Sequence, residues 1–358
     1  MPATEPIAWA ETFDTLAALP VPASSLFDAA TGFFSTRVWW ETVLKHAMPP
    51  GAVPRFVLIR DATAPRALFP MVRDGAGFRN LTTAYTCLYD PLVAPDADRA
   101  AVFAAFARAC RGQSTTRLDA LDMALEPALV QGARTAGLFA ARFDHFGNWH
   151  EDIGGLDWPG YLARRPGALR ETIRRRTRRA ERLAGARFQM FQDTADMEAG
   201  IAAFETVYAR SWKEPEPFPA VNPAQIRAAA SLGLARLAIW WIGDTPAAAQ
   251  FWVVEPHQAT VLKLAHDEAF KAHSPGTVLT AWTIRHMIEQ EHAPALDFGR
   301  GDDAYKRDWA LSRRQRSGLL LIDPRKPAGA FALARHALGR LRARFRGAAR
   351  PCDDRPNA

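Results

Sequence analysis

Three apolar runs near the middle of the chain constrain its fold more than any other feature. They are LARLAIWWIG (234–243), AAAQFWVVE (247–255) and ATVLKLAHD (259–267). Only GDTP and PHQ break them, and a parallel crossover needs a dozen or more residues. The three runs must therefore form an antiparallel meander. A meander this apolar needs helices over its face. The chain supplies PGTVLTAWTIRHMIEQEH (275–292), then a short strand, PALDFG (294–299), and a last one, RQRSGLLLID (314–323).

The first half has the same rhythm. A helix, FFSTRVWWETVLKHAMP (33–49), starts with Ser35 or Thr36 as N-cap. Strands PRFVLIRD (54–61) and RALFPMVRDG (66–75) follow, then the β-rich stretch LTTAYTCLYDPLV (81–93). The alanine-rich helix 97–112 ends at Gly112, 117–123 alternates as a strand, 126–138 is helical and 142–153 closes the half as a strand. Residues 1–30 read as irregular. Between the halves lie helices over 159–185, 195–212 and 224–232. The class is α+β, with two mixed, mostly antiparallel sheets flanked by helices. The expected organisation is 1–155, 156–327 and a basic amphipathic tail, 328–358. The 358 residues, 48% of them apolar, suffice for two such units.

Cys87, Cys110 and Cys352 have no CxxC or His/Cys ligand spacing, so neither a metal nor a disulfide framework is expected. The N-terminus lacks a basic leader region, and no apolar run approaches membrane-spanning length; a cytoplasmic protein is expected. The net charge of +7 favours an anionic partner.

Two segments carry the chemistry. SPG (274–276) opens helix 275–292, whose free N–H groups and positive dipole end suit a phosphate or thioester oxygen. Ser274 would cap, Gly276 would admit a ligand to the backbone with Thr277 beside it, and Lys271 and His273 add donors. DFGRGDDAYKRDW (297–309) begins with Asp297 at the carboxyl end of a strand, where open sheets place ligands. Asp302 or Asp303 would cap a short helix carrying Tyr305, which can protonate a leaving thiolate, and Lys306, which can stabilise an oxyanion. His266 and Asp267 end the meander, and His266 could relay a proton. Trp252, Asp267, Arg300 and Asp302 are the substrate-contact candidates.

Ten arginines crowd residues 164–187. On a helix whose stripe Leu169, Ile173, Ala180, Leu183 faces inward, they form a basic face for a nucleotide phosphate, a lipid headgroup or RNA. The absence of interleaved aromatics argues against RNA. FALARHALGRLRARFR (331–346) sets Phe331, Ala334, Leu338, Leu341 and Phe345 on one stripe amid Arg335, Arg340, Arg342, Arg344 and Arg346, a pattern suited to an anionic bilayer.

SPGTVLT (274–280) and LDFGRGDDAYKRDW (296–309) resemble the second half of the acetyltransferase family associated with cellulose and exopolysaccharide biosynthesis (CelD/BcsL-like), within the GNAT superfamily and related to the FemAB aminoacyltransferases. The resemblance covers roughly 155–325. It implies a tandem GNAT-like (acyl-CoA N-acyltransferase) fold and acyl transfer from a thioester to an amine or hydroxyl without a covalent enzyme intermediate. The donor would be acyl-CoA or an acyl carrier protein, its pantetheine beside 259–267 and its pyrophosphate at the start of helix 275–292. By the same resemblance, Lys306 would stabilise the intermediate and Tyr305 would be the general acid. The pyrophosphate loop departs from the usual pattern: Lys271-x-x-Ser274-x-Gly276 lacks one glycine. The tryptophans of the meander would line an apolar groove for a lipid or cell-envelope acceptor, such as a sphingoid-type long-chain amine. Alternatives are acetylation of an exopolysaccharide precursor, aminoacyl-tRNA-dependent ligation and a non-catalytic binding module.

Overall fold

A computed structural model describes residues 9–28, 30–75 and 77–348 of the chain, with side chains described as far as 339. The strands are β1 (Trp9–Phe13), β2 (Val53–Arg60), β3 (Pro65–Asp74), β4 (Gly77–Asn80), β5 (Leu92–Val93), β6 (Thr115–Leu121), β7 (Phe139–Asp152), β8 (Ala186–Phe191), β9 (Ala235–Ile242), β10 (Thr245–Glu255), β11 (Gln258–His266), β12 (Ala295–Asp297) and β13 (Ser312–Ile322). The helices are α1 (Ser25–Asp28), α2 (Arg37–His46), α3 (Arg99–Ala109), α4 (Glu126–Thr135), α5 (Trp158–Ala163), α6 (Gly167–Ala180), α7 (Met197–Ala209), α8 (Val221–Ser231), α9 (Pro275–Glu289), α10 (Lys306–Trp309) and α11 (Pro327–Ala348).

The meander forms as β9, β10 and β11, antiparallel throughout. The two expected sheets are fused edge to edge, in the order β1-β2-β3-β4-β6-β13-β7-β12-β11-β10-β9-β8. The fusion exchanges strands. β13, the last strand of the second half, pairs with β6 of the first, and β7, the last strand of the first, pairs with β12 of the second. β7 and β13 then pair with each other over almost their whole length. Among the described residues each half has one parallel strand pair, β4 with β6 and β11 with β12, bridged by α3 and α9 respectively.

Local chemistry explains the elements. Thr36, one of the two expected caps, accepts the Trp39 N–H at the start of α2. The segment 159–185 is not one helix: Pro166 has extended backbone and separates α5 from α6. Within α6, Ile173 and Ala180 are buried as expected, while Leu169, and Leu183 just past the helix, pack partly against the core. The 81–93 stretch holds only the two-residue β5. Conversely, β1 occupies part of the segment expected to be irregular.

Two sequence expectations are overturned by burial. Trp240 and Trp252 have no exposed surface, so two of the meander's three tryptophans are core, not groove, while Trp241 is half-buried beneath Arg187. Trp252 donates its indole N–H to Gln250 at 2.9 Å and meets Phe298 edge-on, which removes it from substrate contact. The arginine run is not all surface either. Arg165 is fully buried and grips both oxygens of Glu151 at 2.6 Å, its charge neutralised inside the fold. In α11, Phe331 and Leu338 are exposed. The other expected stripe residues, Leu341 and Phe345, and Arg340, Arg342, Arg344 and Arg346 lie outside the residues with described side chains, and Cys352 lies outside the described residues.

Candidate functional site

β11 and β12 run parallel for only two residue pairs, Ala259 with Leu296 and Thr260 with Asp297. Beyond these they separate, and a cavity of about 390 Å³ opens. Val261–Leu264 form one wall, and Phe298, Arg300, Asp303, Tyr305 and Lys306 form the other. The charged stretch after β12 thus borders a cleft rather than capping a buried strand.

Its two glycines are dictated by geometry. Gly299 has φ +62°, and a side chain there would meet the Val261 carbonyl at 2.7 Å. Gly301 has φ +101°, and a Cβ would lie 3.1 Å from Asp303 and 3.4 Å from the Lys306 ammonium. Both conformations are costly for any residue but glycine. The turn lets the backbone wrap Lys306, whose Nζ donates to the Arg300 carbonyl at 2.6 Å and lies 3.0 Å from Asp303 Oδ2. Lys306 is 4% exposed, so its charge is buried but fully hydrogen-bonded. Asp303 is well exposed and is the partner most easily displaced. Tyr305 lines the same cavity from the N-cap of α10; no side chain caps that helix, so neither Asp302 nor Asp303 serves as expected. Asp302 instead accepts from Trp149 Nε1 at 2.7 Å and Arg313 outside the cavity.

Arg300 lies on the wall. It donates to the carbonyls of Thr83 and Thr86 and stacks over Phe146 at 4.3 Å, tying the cleft to the first half. Asp297 points the other way. It accepts from Asn148 at 2.7 Å, the Gly299 N–H at 2.7 Å and Arg314 at 2.5 Å, and it borders a second, adjoining cavity. Cys87 lines both cavities; burial pushes its thiol up to about 11, so it is a neutral wall residue at neutral pH.

Sequence reasoning missed Glu216, which sits beside the cleft in the Pro-rich loop before α8. It accepts from Tyr85 of the first half at 2.7 Å, from Tyr208, and from Lys263 at 2.5 Å. Hydrogen bonds from Lys263 and the two tyrosines outweigh burial and hold its carboxyl down to about 2. KEPEPFP signals only a loop, since Tyr85 lies 131 residues away.

At the tip of α9, Ser274 is left-handed with φ 55° and its side chain makes no capping bond, contrary to expectation. Pro275 occupies the first turn, and Gly276 and Thr277 follow. A Cβ at Gly276 would lie 3.7 Å from His266 Nδ1, so the tip and the histidine adjoin. Neither His266 ring nitrogen has an aligned hydrogen bond, although Glu268 lies 3.2 Å from Nε2 and Trp212, a cleft residue, stacks at 4.3 Å. Burial lowers the His266 pKa, favouring the neutral ring. His273 Nδ1, Arg176 Nε and Thr177 Oγ1 are also buried without partners, and Arg176 reaches the turn by donating to the Ala272 carbonyl. Buried polar atoms are rarely left unmatched, so this corner has donors to offer an anionic group. Asp267 is spent on structure, capping the turn through Ala269 N–H, and Lys271 is exposed and paired with Glu268.

Comparisons with known proteins bear on the fold. Residues 167–307 match the family model "Acetyltransferase (GNAT) domain", a span running from the start of α6 through the α9 tip to just past Lys306. Among solved structures, FemX is similar at 10% identity, over 86% of this chain and 96% of that one, with a TM-score of 0.56. A conserved protein of unknown function from Bacteroides thetaiotaomicron is similar at 9% identity, over 87% and 98%, TM-score 0.57. A C-terminal domain assigned to a lysylphosphatidylglycerol synthetase from Agrobacterium fabrum is similar at 14% identity, over 78% and 87%, TM-score 0.52. No curated protein matches the chain. The fold is the GNAT fold, doubled, and the family-model match lies in the second half.

Proposed function

We propose that the chain transfers an acyl group from acyl-CoA, or from an acyl carrier protein, to an amine of a lipid or cell-envelope precursor in the cleft between β11 and β12. The observation that carries this reading is the cleft itself: two parallel strands part beside an uncapped helix tip, and a buried, pre-positioned ammonium faces the gap. Residues at the tip fit a pyrophosphate through the α9 N–H groups, His273 and Arg176. The acceptor nitrogen attacks the thioester carbonyl. The C–N bond forms, the oxyanion is stabilised by Lys306, and collapse breaks the C–S bond as Tyr305 protonates the thiolate. Asp297 positions the turn, and neutral His266 can pass the acceptor's proton towards solvent.

Cell-envelope chemistry is supported by the names of FemX and of the lysylphosphatidylglycerol synthetase. A peripheral contact with anionic lipid is supported by exposed Phe331 and Leu338 on basic α11; no described helix is long and apolar enough to cross a membrane. The preferred acceptor is a long-chain amine of sphingoid type; an exopolysaccharide precursor, as in the CelD/BcsL-like branch, is the alternative. A second reading, an aminoacyl-tRNA donor, draws on exposed Arg175, Arg178 and Arg179 of α6, the helix whose Arg176 contacts the turn before α9. It requires donor binding that weakens steeply with salt.

The test is acyl transfer from short- and long-chain acyl-CoA to a panel of amines. Lys306→Ala should lower kcat/KM by about 10²–10³, with circular dichroism confirming the fold, and Tyr305→Phe by about tenfold. A folded Lys306→Ala protein within twofold of the parent removes Lys306 from the chemistry.

A further inference from the structure

The second cavity, of about 240 Å³, adjoins the Lys306 cleft across Cys87 and has the opposite charge. The cleft wall carries Lys213, Lys263, Arg300 and Lys306 against one carboxylate, Asp303. The second cavity carries Asp90, Glu255 and Asp297 against Arg316. Its charges do not cancel locally. Asp297 is paired with Arg314, and Arg316 with Asp122. Glu255 and Asp90, by contrast, have no ion-pair partner among the described residues: Glu255 accepts the Phe33 N–H at 2.5 Å with Gln258 and His257 beside it, and Asp90 accepts the Thr31 hydroxyl at 2.9 Å. Burial raises both carboxyls, with partial relief from Phe33, His257 and Gln258 at Glu255 and from Thr31 and Arg99 at Asp90.

An independent observation points to a ligand. Thr260 is 2% exposed, lines this cavity, and its Oγ1 has no hydrogen-bond partner. Two carboxylates without an ion pair among the described residues thus line the same cavity as one orphan hydroxyl. A single ligand that brings an ammonium and a neighbouring oxygen satisfies all three.

We propose that this cavity binds a primary ammonium flanked by a hydroxyl oxygen, with the ammonium against Glu255 and Asp90 and the oxygen accepting from Thr260 Oγ1. Resting on the acyl-transfer reading, this makes the cavity a holding site for an amino-alcohol acceptor, which gives up its proton and crosses into the adjoining cationic cleft that takes the anionic donor before its nitrogen attacks. Opposite charge keeps the two substrates from competing for one site.

The experiment measures binding to the full chain by ligand-observed NMR, using three probes of matched shape: 2-amino-1,3-propanediol, glycerol and isopropylamine. The aminodiol should bind at least tenfold more tightly than glycerol, which lacks the charge, and at least threefold more tightly than isopropylamine, which lacks the oxygens. Glu255→Gln should abolish the preference over glycerol, and Asp90→Asn should weaken it about threefold. Thr260→Val should abolish the preference over isopropylamine. Equal binding of aminodiol and glycerol by the parent chain overturns the proposal. So does an unchanged preference in folded Glu255→Gln; if that variant fails to fold, an unchanged preference in both Asp90→Asn and Thr260→Val overturns it. Acetyl-CoA binding is titrated separately. Its loss defeats the acyl-transfer reading alone, whereas its retention without amine selectivity defeats this inference alone.

Discussion

The two halves share a topology, yet one presents an open cleft and the other a closed one. In the second half, β11 and β12 separate after Thr260 and Asp297, and nothing spans the gap. In the first half, β4 and β6 pair at Phe78–Thr116 and Arg79–Arg117, and then Asn80 fills the opening. Its side-chain amide accepts from the Asp119 N–H and donates to the Asp119 carbonyl, both at 2.9 Å, acting as one more rung of the sheet. The bridging helices differ in the same sense. α3 is capped by Asp98, whose carboxylate takes the Ala100 and Ala101 N–H groups. α9 begins at left-handed Ser274 with no side-chain cap. One half has spent its ligand-facing groups on itself and gained stability, while the other leaves them unspent.

The comparison breaks if a cap at α9 changes nothing. Ser274→Asp introduces the device that closes α3, at a backbone conformation aspartate tolerates. A carboxylate about 5 Å from a bound phosphate group repels it by roughly 3 kcal/mol at an effective dielectric near 20. Donor affinity should fall on the order of 100-fold, while the melting temperature holds or rises, because an acid suits a helix N-terminus. Isothermal titration with acyl-CoA and thermal unfolding read both signs. Unchanged affinity would mean that the α9 tip is not where the donor's phosphates sit.

The converse change sharpens the comparison. Asn80→Ala leaves the Asp119 N–H and carbonyl buried without partners, a loss of about 2 kcal/mol. Stability by denaturant titration should drop by that amount, while the donor's KM stays within twofold of the parent. A change in KM would give the first half a part in binding.

Much of this contrast was legible in the sequence, and what was not has physical reasons. The meander, the SPG helix start and the glycine-spaced Lys306 turn are local signals, written in contiguous residues, and the sequence reading located each of them. Asn80 and Glu216 gave no such signal. Their partners, Asp119 and Tyr85, lie 39 and 131 residues away, so their roles exist only once the halves have docked. The exchange of β7 and β13 was invisible for the same reason: strand pattern encodes a face, not a neighbour. Trp252 misled because an aromatic alternation reads alike for a groove wall and a core.

The smallest effect tests whether the two halves are clamped at the cleft. Glu216, of the second half, takes the Tyr85 hydroxyl of the first, and its carboxyl is held at about 2. A carboxyl depressed in the folded state adds stability above its unfolded value near 4.3 and loses it as pH falls towards 2. Solvent screening reduces that contribution to on the order of 1–2 kcal/mol. The parent should therefore lose stability between about pH 4.5 and pH 2 by this route, and Glu216→Gln should lack that increment at pH 7 and show a flatter profile through the same window. Tyr85→Phe removes one donor across the halves and should flatten the profile only in part. A Glu216→Gln profile parallel to the parent's would mean that the acid-labile contacts lie elsewhere, and that Lys263 and the two tyrosines hold the cleft without the carboxylate between them.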